Sequence, residues 1–374
     1  MTRAVAAYAS FCLLLGGCAP SGALPGTPRR IETPTIIVSA TSTEGLLELL
    51  VRADAEVAAE HYETAATLYQ RAFDADAVGT YRPAALFGLG NALDRGAHPQ
   101  RALAVYERLY GLEKPGFVRE GIGVRITRLL TYLERYREAE ARARGIEPAG
   151  RAPLEQVALG AARALGALER SDEESAERDL NRARAALDPL GIDHLDRVPL
   201  DFAAWSFARG ELAKRQAERI VFSPPSADFA DTLERRCVLI LRAQSAYSDA
   251  MRAHSAHYSA MAGVRVGELY QKLHGELTRM PPPASARTVA QRQLVQGALR
   301  LRYAVLLDTA STMLSATLQM VDRTGEGQAW AERARTSLAQ LRQAQLDEER
   351  ALAALPFSRA DLEKALRDLS ARVP

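Results

Sequence analysis

Three sets of side chains in this 374-residue chain have the type and spacing to do chemistry. His254 and His257 stand three apart on what the local pattern reads as one helical face, where two imidazoles could share a metal ion. No spaced cysteine or third histidine accompanies them, and histidines used for packing or solvated at the surface are the competing reading. The carboxylates of Glu173 and Glu174, and of Asp361 and Glu363, fall at helix starts. The helix dipole favours acids there, so they read as solvated helix ends rather than a general acid/base pair. The third is a lone thiol, Cys18. No phosphate-binding glycine loop, H-E-x-x-H or G-x-S-x-G occurs in the sequence. The expectation is a protein that is not an enzyme and needs no cofactor or metal.

Cys18 follows Arg3, an apolar run from Ala4 to Leu15, and then Gly16-Gly17. That run is too short for the roughly 20 residues of a spanning helix and fits a secretory leader. Leu15-Gly16-Gly17-Cys18 resembles a bacterial lipobox, which implies cleavage before Cys18 and acyl chains on its thiol and amine. Several acyl chains hold a protein on a membrane where one binds only marginally. The competing reading is an ordinary signal peptide cut near Ala19. Residues 19–35, rich in Pro, Gly, Ser and Thr, suit a tether. The absence of Asp after Cys18 implies, by the same resemblance, sorting to the outer membrane with the rest of the chain facing the periplasm.

Composition narrows the partners. Lys plus Arg number 48 against 46 Asp plus Glu, a net +2 that predicts no nucleic-acid-binding face. Three cysteines exclude a disulfide framework. Cys12 leaves with the leader, and Cys237, within an apolar run, reads as a small buried hydrophobe.

The remaining elements are helical and repeat. Ala65, Ala102, Ala139 and Ala176 lie 37 residues apart, each within an amphipathic stretch such as Tyr62–Ala72 or Pro99–Leu109. Before the second copy runs Ala84–Leu93, containing Leu89-Gly90, then a Gly96–Pro99 turn. This pairing resembles the tetratricopeptide repeat (TPR), with Gly90 at its glycine, Ala102 at its first alanine and Tyr106 at its aromatic position. Ala53 and Thr127 replace the glycine in units one and three, and Leu159-Gly160 carries the signal in unit four. Small residues there let paired helices approach closely. A plain helical-hairpin domain without repeat ancestry is the rival.

The resemblance implies a superhelix whose first helices line a concave groove. Its positions fall on Phe87, Asn91, Asp94 and Arg95 in unit two. In unit three they fall on Val124, Arg128, Thr131 and Tyr132. Ordinary surface or packing is the alternative for each.

Beyond residue 190 the pattern changes. A helix over 201–221 carries Trp205 and Phe207, which read as packing. Long helical runs follow at 231–252 and 256–279, ended by Pro281-Pro282-Pro283, and then at 286–322 and from Trp330 to 353. Ser358 with Asp361 forms a capping box on a last helix, and Glu363 faces Arg367. Arg236-Cys237, Arg242–Tyr247, Arg265–Tyr270 and Pro281–Pro283 resemble the C-terminal halves of TPR-containing lipoproteins of myxobacteria and related deltaproteobacteria. Some of those are linked to gliding machinery, and many have no assigned role.

The expected architecture is all-α: a TPR-like hairpin superhelix followed by a long-helix domain. Residues 1–17 form the leader, 18–41 the lipidated cysteine and linker, and 42–190 the repeats. A connector spans 191–228, and the C-terminal helical domain 229–374. The expected function is a non-catalytic scaffold or assembly factor that recruits a protein partner in an envelope complex, bound to the membrane through Cys18. An accessory lipoprotein of cell-wall or glycan processing is the alternative, with a hydrolase a further one.

Overall fold

In the computed structural model the second helices of four hairpins begin at Tyr62, Pro99, Tyr136 and Glu173, 37 residues apart. The structure describes residues 43–192, 198–221, 229–282, 286–324 and 328–371. The leader, Cys18 and the linker lie outside the described residues, as do Pro224, Pro225, Pro283 and the turn at 325–327. Among the described residues all regular structure is helical and no strand occurs.

The hairpins pair α1 (Thr43–Ala58) with α2 (Tyr62–Ala75) and α3 (Arg82–Arg95) with α4 (Pro99–Leu112). They continue with α5 (Phe117–Tyr132) and α6 (Tyr136–Arg144), then α7 (Pro153–Glu169) and α8 (Glu173–Leu187). Ala65, Ala102, Ala139 and Ala176 are each the fourth residue of a second helix, and each is fully buried. The equal spacing of these alanines in the sequence is therefore an equal placement in space.

The turn inside each hairpin repeats with the same step. Glu60, Ala97, Glu134 and Ser171 all adopt left-handed backbone, with φ of 63°, 61°, 60° and 62°. The next amide reaches back across the turn: His61 to Glu56, His98 to Leu93, Arg135 to Leu130 and Asp172 to Ala167, at 2.8–2.9 Å. This is a Schellman closure, which satisfies carbonyls that the helix end leaves free and usually takes glycine at the left-handed site. None of the four is glycine. Ala97→Gly should therefore raise stability by about 0.5–1 kcal/mol, seen as a higher urea midpoint, because alanine is strained at positive φ. The links between hairpins, at 76–81, 113–116 and 145–152, are longer than these three-residue turns and carry the length beyond a 34-residue unit.

Two cores meet inside α7. Ala158, Leu159 and Ala162 face the core of the first three hairpins. Val157, Ala161, Leu165 and Leu168 belong to the core shared with α8 and the C-terminal helices. A helix buried on both sides must be apolar nearly all round, as its sequence from Val157 to Leu168 is. Gly160 approaches Ala183 and the Asp179 carbonyl of α8. It stands one turn before the 37-residue register of Gly90, which falls on Ala164.

The C-terminal half comprises α9 (Leu200–Arg219), α10 (Phe229–Met251), α11 (Ala256–Thr278), α12 (Val289–Thr324), α13 (Gln328–Ala353) and α14 (Arg359–Ala371). Trp205 is buried and donates to the Leu180 carbonyl at 3.0 Å, which seats α9 against α8. The α10–α11 turn repeats the hairpin form: His254 is left-handed (φ 53°) two residues before the helix, and Ser255 caps it. Helix α11 lies close to α12 because Gly263 and Gly267 face Thr317 and Leu314. Within α12, Val289–Arg323 is long and apolar enough to cross a membrane, yet it buries Leu306, Leu307, Ala310 and Leu314 in the second core.

Several local expectations change. Cys237 is half-buried rather than buried, since its helix turns Arg236 inward instead, toward Glu276 and the Ile220 carbonyl. Glu173 is not a solvated helix end: its side chain is largely covered and pairs with Arg219 of α9 at 3.0 Å. Ser358 and Asp361 form the capping box, but Glu363 bonds to Arg359, 3.1 Å away and four residues earlier, rather than to Arg367.

Candidate functional site

First helices stacked side by side leave their solvent-side faces aligned, and a cleft of about 670 Å³ runs along them. Asp94 and Arg95 come from the end of α3, and Arg128, Leu129 and Tyr132 from α5. Ala158 of α7 and Ala204 of α9 add small apolar surface. The far wall is the α10–α11 turn, with His254, Ser255 and then Tyr258. Five of the eight groove positions expected from the sequence thus line one cavity: Asp94, Arg95, Arg128, Thr131 and Tyr132. Phe87 and Asn91 continue the same face of α3 away from it, since 87, 91, 94 and 95 share one helical stripe.

These side chains are not equally available. Arg128 donates two parallel hydrogen bonds, both 2.8 Å, to the carboxylate of Asp201 on α9. Burial pushes the Asp201 carboxyl up, and Arg128 only partly offsets this. Tyr132 stacks on His257, with ring centroids 3.8 Å apart, and meets Tyr258 edge-on. Both residues therefore fasten the repeats to the C-terminal half while their edges line the cleft. Thr131 lines the cleft as well, although its hydroxyl donates back to the Thr127 carbonyl, whereas Val124 is fully buried and does not reach the groove surface. The cause is that α5 is wedged among α4, α6, α7 and α9, so beyond its first turn little of it reaches solvent.

Asp94 and Arg95 are the open pair. Asp94 has no ion-pair partner among the described residues, and the walls around it push its carboxyl up against the pull of Arg125 and Arg128. The Arg95 guanidinium lies 4.9 Å over the Tyr62 ring and has no carboxylate partner among the described residues. Phe87 is 41% exposed, edge-on to Tyr106, with Arg125 4.8 Å over its ring. The surface can present an acid, two guanidinium faces and aromatic edges to a ligand.

The histidine pair of the sequence separates. His254 sits in the turn, while His257 is buried in α11, its Nε2 without a hydrogen-bond partner among the described residues. Burial lowers His257 to about 4, with a backbone hydrogen bond to Tyr132 pulling the other way. A turn interrupts the helical face on which they were expected to stand together. Among the described residues no group of three or more His, Cys, Asp or Glu side chains is placed to hold a metal ion.

Sequence reasoning missed further contacts that join the C-terminal half to the repeats. Trp330 of α13 donates to Glu134 at 2.9 Å, and Arg333 reaches the same carboxylate. Glu134 is the left-handed residue of the third hairpin turn, so the C-terminal half grips the repeats at a repeat-specific position. These pairs are 196 and 199 residues apart and leave no local trace.

No protein-family model matches the chain, and no curated protein matches it. Among solved structures it is similar to the crystal structure of a tetratricopeptide repeat protein from Parabacteroides merdae, at 15% identity and a TM-score of 0.40. That match spans 78% of this chain and 98% of the other. The hairpin-repeat description rests on the equal helix starts, turns and buried alanines of this chain itself.

Proposed function

We propose that this chain is a non-catalytic protein-binding scaffold, held at the outer membrane through an acylated Cys18 and facing the periplasm, where it recruits a partner in an envelope assembly. The observation that carries the binding reading is the cleft along the first helices, whose wall presents Asp94 and Arg95 without ion-pair partners among the described residues. Charged groups at a concave, partly desolvated wall are held ready for a ligand's own polar groups. The anchoring reading is supported by Leu15-Gly16-Gly17-Cys18 and the Pro- and Gly-rich stretch after it. The envelope setting and the lineage follow from the sequence resemblances alone.

A photoreactive residue at Arg95 or Phe87, introduced in cells, should yield a discrete protein adduct. The same residue at Glu107, exposed on the second-helix side, should not. Equal or absent adducts at all three positions would remove the groove from consideration. Intact-mass measurement of the membrane form tests the anchor separately, since acylation of Cys18 adds a defined mass to a chain beginning there.

A further inference from the structure

We infer that one edge of the repeat stack, formed by the links between hairpins, lies on the lipid bilayer surface. Because the helices alternate in direction, the starts of α1, α3, α5 and α7 and the connections 76–81, 113–116 and 145–152 all fall at the same end. The three-residue turns fall at the other. The first end carries large apolar side chains in the open: Val78 is 89% exposed, Phe117 68%, Val118 65% and Leu112 56%. Exposed Leu47 lies one turn into α1 from the same end.

Leu112, Phe117 and Val118 flank one link, and exposed apolar residues grouped in this way mark an interaction or membrane site. They stand on links and helix ends and line neither of the two best-formed clefts, so they suit insertion into a soft planar phase better than the complementary surface of a folded protein. Charge agrees with that occupant. Lys114 sits on the tip beside Pro115 and Gly116, and Arg119 follows Val118 on α5. Among the acids at this end, Asp76 accepts from the Gly79 and Tyr81 amides and Glu120 pairs with Arg151, while Glu113 and Glu147 also stand on the links. Apolar tips with basic flanks settle into the interface of an anionic membrane, burying about 5–10 Å of depth.

The path of the chain points the same way. Residues 1–42, with the apolar run at 4–15 and Cys18, join the fold at the start of α1, which is this edge. An anchor there tethers the stack with its apolar tips toward the lipid and the opposite turns, including Glu60 and Ala97, away from it. The orientation deepens the anchored-scaffold reading, but it stands on the exposed tips and can fail independently of acylation.

The test places an indole at the edge. Trp205 and Trp330 are buried, so a tryptophan introduced at an exposed site gives a separable signal. Full-length protein expressed with its leader is reconstituted into phosphatidylethanolamine/phosphatidylglycerol vesicles whose acyl chains carry bromine, a contact quencher. Phe117→Trp fluorescence should fall roughly twofold relative to unbrominated vesicles, because the tip enters the interface. Val51→Trp should hold its intensity: it is exposed on α1 about 12 Å from the edge, beyond the insertion depth. Equal quenching of the two, or none of Phe117→Trp in protein that floats with the vesicles, overturns the proposal. Loss of a captured protein on L112S/F117S/V118S, without any quenching of Phe117→Trp, overturns it in favour of a protein partner at the same edge. Quenching of Phe117→Trp in protein whose Cys18 proves unmodified supports the edge while removing the acyl anchor.

Discussion

Gly90→Ala should destabilise the protein by about 2 kcal/mol, although alanine is the better helix former by about 1 kcal/mol. A Cβ on Gly90 would stand 2.8 Å from both Cε1 and Cζ of Tyr106, well inside van der Waals contact. The tyrosine ring is fully buried, with Phe87 edge-on to it and Arg125 above, so it has no room to withdraw. Either the ring leaves its rotamer or α3 and α4 separate, and overpacking of this kind outweighs the propensity gain. Gly111→Ala is the matched control: the same change near the end of α4, where an added Cβ meets nothing within 4 Å, should stabilise by up to about 1 kcal/mol. In a Tyr106→Leu background the Gly90→Ala penalty should largely vanish, since the atoms it strikes are gone. Urea unfolding of the four proteins reads the cycle. A Gly90→Ala variant as stable as Gly111→Ala would show that close helix approach is not what holds this hairpin.

That close approach is also the part of the fold most legible in the sequence. A small residue is demanded wherever two helices touch, and a repeat demands it at a constant step, so Ala65, Ala102, Ala139 and Ala176 announce the hairpins without any knowledge of their neighbours. The same rule misleads at Gly160, where Leu-Gly signals a contact with Ala183 a turn away from the repeat register. Left-handed turns at Glu60, Ala97, Glu134 and Ser171 were hidden because none is glycine. The candidate groove was legible only as a stripe. Its positions at 87, 91, 94 and 95 follow from helical periodicity, but their use does not. Arg128 and Tyr132 carry side chains suited to a ligand, and both are held by Asp201 and His257 from distant sequence. Charge alone cannot tell a guanidinium awaiting a ligand from one already satisfied. Arg359, not Arg367, takes Glu363 for a similar reason: helical spacing permits both partners, and the first turn places one nearer.

The C-terminal half therefore closes the groove, and the closure can be broken at one pair. Arg128→Met should cost about 2 kcal/mol at neutral pH, below the usual cost of breaking a fully buried pair because Arg128 is a third exposed. The cost arises from Asp201, which keeps its burial and loses both hydrogen bonds. Its carboxyl is already raised above the ordinary value, since burial outweighs Arg128, and the variant raises it further. A carboxyl raised on folding leaves the fold unpenalised below its unfolded value near 4, where it is protonated in both states. The penalty grows as pH rises through the folded-state value. The difference between variant and parent should accordingly be largest at pH 7 and shrink toward pH 4. Measuring that difference at each pH removes the contribution of His257, which acts in the opposite sense: its lowered value makes both proteins lose stability as pH falls from about 6.5 toward 4. Arg128→Met/Asp201→Asn should recover most of the loss, because a neutral amide in the same place is far less costly to bury. A penalty for Arg128→Met that stays constant from pH 7 to pH 4, or that survives Asp201→Asn unchanged, would mean that α9 is held to α5 by packing alone. In that case the cleft would keep its shape without the pair. If the predicted pattern holds, loosening Arg128 also opens the wall opposite Asp94 and Arg95, and cross-linking at Arg95 should weaken in step with the lost stability.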